Sequence, residues 1–290
     1  MSQTETQDSK VSAFKDRVKA EWAGDETAAA WQKHYAAMRE QMANVTAALV
    51  AAAQPKPGMA VLDIAAGTGD PSLTIARAVE PGGTVTSTDF NPAMLAALRH
   101  NAEAEGVTNL STRAADAHEL QFPDGTFDLV VSRFGVMFFG EVDRALGEMR
   151  RVLKPGGRLT LVVWGGPIPG SYFGTAALPF IKRMAEKPDP DGPGPMRFAE
   201  PGKLVRLVEA AGFSNVQESV QNVSAPYAGT PEQMLVDLME IAAPFRNAVA
   251  TLSESDRQDG EREVIEALHG LYTDGTVNVT APIIVVTGDK

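Results

Sequence analysis

Apolar residues along the chain follow two rhythms that change over near residue 57. Before it, Trp31, Tyr35, Met38, Met42, Val45 and Leu49 recur at steps of three and four, the spacing that lines one face of an α-helix. Pro55, Pro57 and Gly58 in "QPKPG" stop that helix, since proline lacks the backbone donor and glycine loosens the chain. After it, short apolar runs alternate with helical periods as far as Trp164. "MAVLDIA" lies between the Pro/Gly turn and Gly67 and Gly69, which predicts a buried strand. Asp70 and Pro71 are expected to open a helix to about Val79 as N-cap and first-turn residue. "TVTSTD" is a second strand, and Asn91 with Pro92 starts a helix that Gly106 ends. "NLSTRAAD", "FDLVVS" and "GRLTLVVW" are the third, fourth and fifth strands. Such alternation predicts βαβ units and a parallel sheet with helices on both faces.

In such a sheet ligands bind beyond the carboxyl ends of the strands, and Gly67 with Gly69 would let one lie against bare backbone. Asp89, closing the second strand, stands where a carboxylate can accept from ribose hydroxyls. These two features fit a nicotinamide dinucleotide or S-adenosyl-L-methionine. The dinucleotide spacing G-x-G-x-x-G/A puts its third small residue at position 72, which holds Ser72, an imperfect match.

Composition narrows the partners. An apolar fraction of 44% is that of an ordinary globular chain. Lys and Arg number 26 against 37 Asp and Glu, a net charge of -11, which works against nucleic acid or an anionic membrane surface. With no cysteine, disulfides, thiolate catalysis and cysteine-ligated metals are excluded. "MSQTETQDSK" lacks the basic and then apolar order of a signal peptide. No run reaches the roughly 18 apolar residues of a membrane span, so a soluble, cytoplasmic protein is expected.

The deciding pattern is the full order of motifs. "VLDIAAGTGD" is followed by "DAHELQFPDGTFDLVVS" from Asp116 and by "RVLKPGGRLTLVVW". With these the chain resembles the class I S-adenosylmethionine-dependent methyltransferases, in the branch similar to ubiquinone and menaquinone C-methyltransferases (the type 11 domain). The resemblance covers Trp31 to Trp164 in motif detail. It implies a Rossmann-like α/β fold: a seven-stranded doubly wound sheet, last strand antiparallel, helices on both faces and a helical cap. It implies S-adenosyl-L-methionine as cofactor and S-adenosyl-L-homocysteine as product. Carried over residue by residue, Asp63, Ala65, Gly67 and Gly69 form the cofactor loop, with Ala65 where glycine is commoner. Asp63 and Gly67 would lie near the methionine moiety. Asp89 would hold the ribose, Phe90 and Met94 would flank the adenine, and Asp116 with Ala117 would meet its amino edge. Ser132 and Arg133 would face the cofactor beyond strand four. Tyr35 is a candidate contact to the cofactor's carboxylate or sulfonium.

The implied organisation is a disordered tail over 1–15, a helical segment over 16–56, a cofactor-binding core over 57–165 and a cap insertion over 166–200. A core helix and strand six follow over 201–224, a helical cap insertion over 225–275, and the antiparallel strand over 276–290, inserted between strands five and six. Both insertions begin or end near the carboxyl edge of the sheet, where a substrate-covering cap and its specificity belong.

Methyl transfer to a nucleophile needs alignment above all, worth on the order of 7–11 kcal/mol, and needs a base only if the nucleophile carries a proton. His34 and Arg133 are the catalytic candidates. His34 is otherwise a partly buried or surface residue. Arg133, before the apolar "FGVMFF", requires a partner there: an anionic substrate group, the cofactor carboxylate, or Asp63 or Asp89 as structure. His118 follows the adenine motif, His100 ends a helix, and His269 lies in the cap. No metal is expected, since "SRFG" stands where Mg²⁺-dependent catechol methyltransferases carry carboxylates, and Glu141 and Asp143 suit the first turn of the next helix.

Aromatics at Trp164, Tyr172, Phe173, Phe180, Phe198, Tyr227 and Phe245 suggest a small, mostly apolar methyl acceptor, or else the packing of the cap. The quinone enzymes usually carry a "GLRN"-like segment after strand four, which "SRFGVMFF" departs from. A secondary-metabolite or other small-molecule acceptor therefore ranks above a quinone ring. Two further readings stand: a fold that binds the cofactor yet catalyses another reaction, and an NAD-dependent dehydrogenase. The oligomeric state is not legible, though the N-terminal helix could mediate a homodimer.

Overall fold

The computed structural model describes residues 21–187 and 189–290; the tail expected over 1–15 lies outside them. Among the described residues, α1 (Asp25–Lys33), α2 (Tyr35–Gln41) and α3 (Ala43–Ala53) precede the first strand. The apolar stripe thus does not form one rod. The chain leaves helical dihedrals at His34 (φ -97, ψ 7) and Met42 (φ -93, ψ 9), and bending there lets one stripe wrap two surfaces. Its far half, Met42, Val45 and Leu49, is in the main core.

The core alternates β1 (Ala60–Ile64), α4 (Ser72–Ala78), β2 (Thr84–Asp89), α5 (Pro92–Ala104), β3 (Leu110–Ala114), β4 (Phe127–Arg133), α6 (Val142–Val152) and β5 (Leu153–Trp164). Residues 61–64 of β1 are all buried, as are Leu129 to Ser132 of β4, the signature of strands covered on both faces. The cap then interposes the short helices α7 (Tyr172–Ala176) and α8 (Leu178–Ile181). Next come α9 (Lys203–Ala210) and β6 (Ser214–Ser224), then β7 (Tyr227–Ala228), α10 (Pro231–Ile241), α11 (Ala243–Val249) and α12 (Glu254–His269). β8 (Tyr272–Thr273), β9 (Thr276–Val277) and β10 (Thr280–Asp289) complete the described chain.

Strand order is β3-β2-β1-β4-β5-β10-β6. β10 runs antiparallel to both neighbours, with Ile283 opposite Trp164 and Gln221, so the expected seven-stranded sheet with one inserted antiparallel strand is what forms. "KPGG" is not a free turn but a bulge inside β5: Phe127 pairs Leu153 while Leu129 pairs Arg158. The cap also carries a small sheet, β7-β9-β8, where a helical segment alone was expected.

A second hydrophobic cluster separates the cap from the main core. Phe180, Val264, Leu268 and Val277 are fully buried there, each contributing about 1.5–3 kcal/mol. Gly260 of α12 permits this packing, since a Cβ would sit 2.7 Å from the Phe180 ring.

Candidate active site

Past Ile64 the backbone turns sharply. Ala65 adopts φ 58, a left-handed conformation costing about 1–2 kcal/mol for a residue with a Cβ. Gly67 (φ 54) has no atom within 4 Å of where a Cβ would stand, so the outer side of this turn is bare backbone facing open space. Gly69 (φ 122) is closed instead; a Cβ would meet Leu73 Cδ1 at 2.5 Å. Across the turn, Gly67 N–H donates to Asp89 Oδ2 at 3.0 Å and Asn91 N–H donates to Oδ1 at 2.9 Å. Burial pushes the Asp89 carboxyl up, and the N–H groups of Asn91, Gly67 and Phe90 oppose that shift. Beneath the turn, Ser72 donates to Asp63 Oδ2 at 2.6 Å, while Asp63 Oδ1 is buried without a partner among the described residues. Burial raises the Asp63 pKa to about 7, against the Ser72 hydrogen bond and the charge of Arg133.

The adenine-side candidates gather at the next strand ends. Met94 is buried and Phe90 half-buried. Ala117 is buried, and Asp116 Oδ1 accepts from the His118 backbone N–H at 2.9 Å. One group stands here that the sequence did not point to. Trp22 rests against Phe138 with ring centroids 5.2 Å apart, and Asn91 Nδ2 donates to its carbonyl at 2.8 Å. Its indole N–H is buried without a partner among the described residues.

Ser132 and Arg133 serve the turn rather than facing open space. Ser132 Oγ donates to the Ile64 carbonyl at 2.8 Å, joining β4 to β1. Arg133 pairs with neither Asp63 nor Asp89. Its Nη1 donates to the Asp70 carboxylate and, at 2.6 Å, to Thr46 Oγ1, and Nη2 donates to the Asp70 carbonyl at 2.9 Å. Thr46 completes the triangle, donating to Asp70 Oδ2 at 2.8 Å. Asp70 is therefore not the cap of α4; that position falls on Pro71, with no side-chain cap bond. A guanidinium this enclosed demands a carboxylate more than a helix end does. Nor does the geometry bring Tyr35 to an open site: its hydroxyl donates to Glu105 at 2.9 Å, beside Arg39 and Arg77 on the same carboxylate.

The comparisons with known proteins match this architecture. A model of the ubiE/COQ5 methyltransferase family matches residues 30–172. Demethylmenaquinone methyltransferase of Thermus thermophilus is 38% identical over 166 residues, covering 53% of this chain and 74% of that one. Ubiquinone/menaquinone biosynthesis C-methyltransferase UbiE of Cupriavidus metallidurans is 36% identical over 179 residues, covering 58% and 72%. The chain belongs to the ubiE/COQ5 methyltransferase family. It is an S-adenosylmethionine-dependent methyltransferase, and its fold is shared with solved structures of low identity. The YcgJ protein from Bacillus subtilis superposes with TM-score 0.56 at 21% identity, over 86% of this chain and 98% of that one. A putative methyltransferase from Bacillus halodurans gives 0.54 at 20%, over 85% and 99%. No described helix is long and apolar enough to cross a membrane.

The residues present fit the methyltransferase's cofactor. The orphaned Asp63 oxygen, the bare face of Gly67 and the enclosed Asp89 carboxylate supply acceptors for ammonium and hydroxyl groups, beside backbone that a side chain would block. The histidines divide. His118 Nδ1 meets Asp116 at 2.5 Å and its Nε2 accepts from the Glu141 N–H at 3.2 Å, so both ring nitrogens are engaged. His269 pairs with Glu232 on the surface. His34 is 8% exposed and turned from the loop toward the cap, where Nε2 meets Glu240 at 2.7 Å. Sequence reasoning missed Thr46, Trp22 and Asp237, because each acts through a contact with a distant segment. The one local signal was the aromatic content of the first helix.

Proposed function

We propose that this methyltransferase acts on a small, mostly apolar acceptor built on an oxygen-bearing aromatic ring, the class to which reduced quinones belong. The observation that carries this reading is an aromatic stack running from the cofactor turn to the cap. Phe134, held at φ 62, lies face to face with Trp164 at 4.0 Å and 8°. Trp164 lies parallel to Tyr172 at 6.0 Å and 6° and meets Phe173 edge-on at 4.9 Å. Gly135, next to Phe134, approaches so closely that a Cβ would stand 2.6 Å from that of Ala65. Flat surfaces of this kind select rings, and the stack connects the turn to the cap without a polar interruption. The names of the two relatives, both quinone methyltransferases, support the ring. The absence of a "GLRN"-like segment after β4 supports ring substituents different from theirs.

In this reading Asp89 accepts from the ribose hydroxyls, and Asp63 with Gly67 receives the methionine end. Phe90, Met94, Asp116 and Ala117 surround the adenine. When bound, the cofactor supplies a methyl group already activated by a positive sulfur. The chain's own work is then alignment and exclusion of water. Arg133 acts by holding the turn to α3. The cap, over 166–200 and 225–275, covers the acceptor, and the setting is the cytoplasm.

Transfer of labelled methyl from S-adenosyl-L-methionine to pooled phenols, quinols, amines, thiols and carboxylates tests this. Label is expected in the phenol or quinol pools. Label confined to amines, thiols or carboxylates would overturn the ring-oxygen reading.

A further inference from the structure

Between the N-terminal helices and the cap lies a cavity of about 10 Å³, room for one water or one hydroxyl oxygen. His34, Tyr172, Tyr227 and Asp237 form its polar wall, and the first three are 8%, 5% and 7% exposed. They come from four separate segments, so no local secondary structure requires them to meet.

The hydrogen bonds fix the histidine's tautomer. Lys33 and His34 hold the Glu240 carboxyl below the usual range, so Glu240 can only accept, and His34 donates to it through Nε2 at 2.7 Å. Nδ1 faces Asp237 Oδ2 at 3.6 Å. That oxygen is also an acceptor and takes the Tyr227 hydroxyl at 2.6 Å, while Gln233 donates to Oδ1 at 2.7 Å. The 3.6 Å between Nδ1 and Oδ2 is slightly too wide for a hydrogen bond, and a hydroxyl oxygen in the cavity beside them can donate its one proton to either. The Tyr172 hydroxyl lines the same cavity and has no hydrogen-bond partner among the described residues. Tyr172 is also the last ring of the stack that begins at the cofactor turn, and α3, which follows His34 by one short helix, touches that turn through Thr46 and Asp70.

We propose that this niche receives the hydroxyl of the acceptor ring, with His34 Nδ1 as the base that takes its proton and Tyr172 as the group that orients its oxygen. The inference rests on the ring-bearing acceptor argued above and goes further by naming its anchoring atom and base. The acceptor's O–H bond breaks and its proton moves to Nδ1; the acceptor–methyl bond forms as the sulfur–methyl bond breaks, its electron pair staying on sulfur. If a ring carbon is methylated, the imidazolium returns its proton to the oxygen while the ring carbon loses its own to water. The imidazolium is flanked by Asp237 and Glu240. Glu240, with a side chain 39% exposed, is the route by which the proton reaches solvent. Among the described residues, Lys33, Tyr172 and Tyr227 are the further titratable groups around His34 and its two carboxylates.

The test is calorimetric titration of p-cresol into protein saturated with S-adenosyl-L-homocysteine, for wild type, His34→Gln and Tyr172→Phe. Affinity for S-adenosyl-L-homocysteine is expected to be the same in all three, which shows that fold and cofactor site are intact. Affinity for p-cresol is expected to fall about tenfold in each variant, the scale of one buried hydrogen bond, and 4-methylanisole, which lacks the donor, should bind poorly to all. With an accepted phenol, kcat is expected to fall about 100-fold or more in His34→Gln, the scale of a lost general base, and far less in Tyr172→Phe. Equal p-cresol affinity in the three proteins, or an unchanged kcat in His34→Gln, would overturn the niche while leaving the ring reading intact. Wild type that binds no phenol and labels only amines or thiols would overturn both.

Discussion

The glycine turn and the niche under the cap both keep carboxylates out of water, by opposite means. At the turn, Asp89 is satisfied by main-chain N–H groups of Gly67 and Asn91, so the site depends on dihedral angles. In the niche, Asp237 is satisfied by the side chains of Tyr227 and Gln233 and faces His34 across a gap, so the site depends on how helices dock. A backbone-built site survives many changes of neighbouring side chain. A side-chain-built site is tunable and can differ between relatives that share one cofactor. This division suits an enzyme whose cofactor is constant and whose acceptor varies.

Arg133 ties the turn to α3, and the largest effect is expected there. Arg133→Met would leave Asp70, with a side chain 6% exposed, as an uncompensated buried charge, costing about 3–5 kcal/mol. Denaturant unfolding should show that loss, and adding Asp70→Asn should recover most of it. Wild-type stability in Arg133→Met would break the claim that this pair ties the turn to α3.

An intermediate effect separates the halves by pH. Asp63 titrates near 7 in the folded chain because burial disfavours its charge, against about 3.9 when unfolded. Between these values the folded state binds the extra proton. The stability contributed by this group is therefore greatest below about pH 4 and is lost as pH rises toward 7. Asp63→Asn, which cannot ionise, should gain stability relative to wild type across that window and level off above it, as thermal unfolding from pH 4 to pH 8 would reveal. A flat difference would mean that the orphaned oxygen is not desolvated as the geometry indicates.

The smallest effect sharpens the backbone side. Ala65→Gly removes the Cβ from a residue at φ 58 and should stabilise the chain by about 1 kcal/mol, seen as a small rise in Tm. A loss instead would show that the contact of the Ala65 methyl with Gly135 outweighs the relief of strain.

Most of the cofactor half was legible because its determinants are local. Runs of Val, Leu and Ile between turn residues form strands wherever both faces are covered, and glycine at Gly67 and Gly69 marks φ angles other residues resist. Ala65 stood out only through the family resemblance, which puts glycine at that position more often. The errors there were of partner: Asp70 went to Arg133 rather than to a helix end, and Tyr35 to Glu105. Charge pairing is decided by which segments lie within a few ångströms of each other, and spacing along the chain does not encode that.

What the sequence determined by itself is the order of strands and helices, the Gly-rich turn and the acid that closes β2, all products of short-range dihedral preference and hydrophobic period. What only the tertiary structure decided is where His34 points, that Tyr172, Tyr227 and Asp237 join it, and that Phe134, Trp164 and Tyr172 stack into one path. Those contacts bring together residues from the N-terminal helices, the sheet edge and both cap insertions, and they exist only because burying the cap's own apolar core leaves the helices one way to dock.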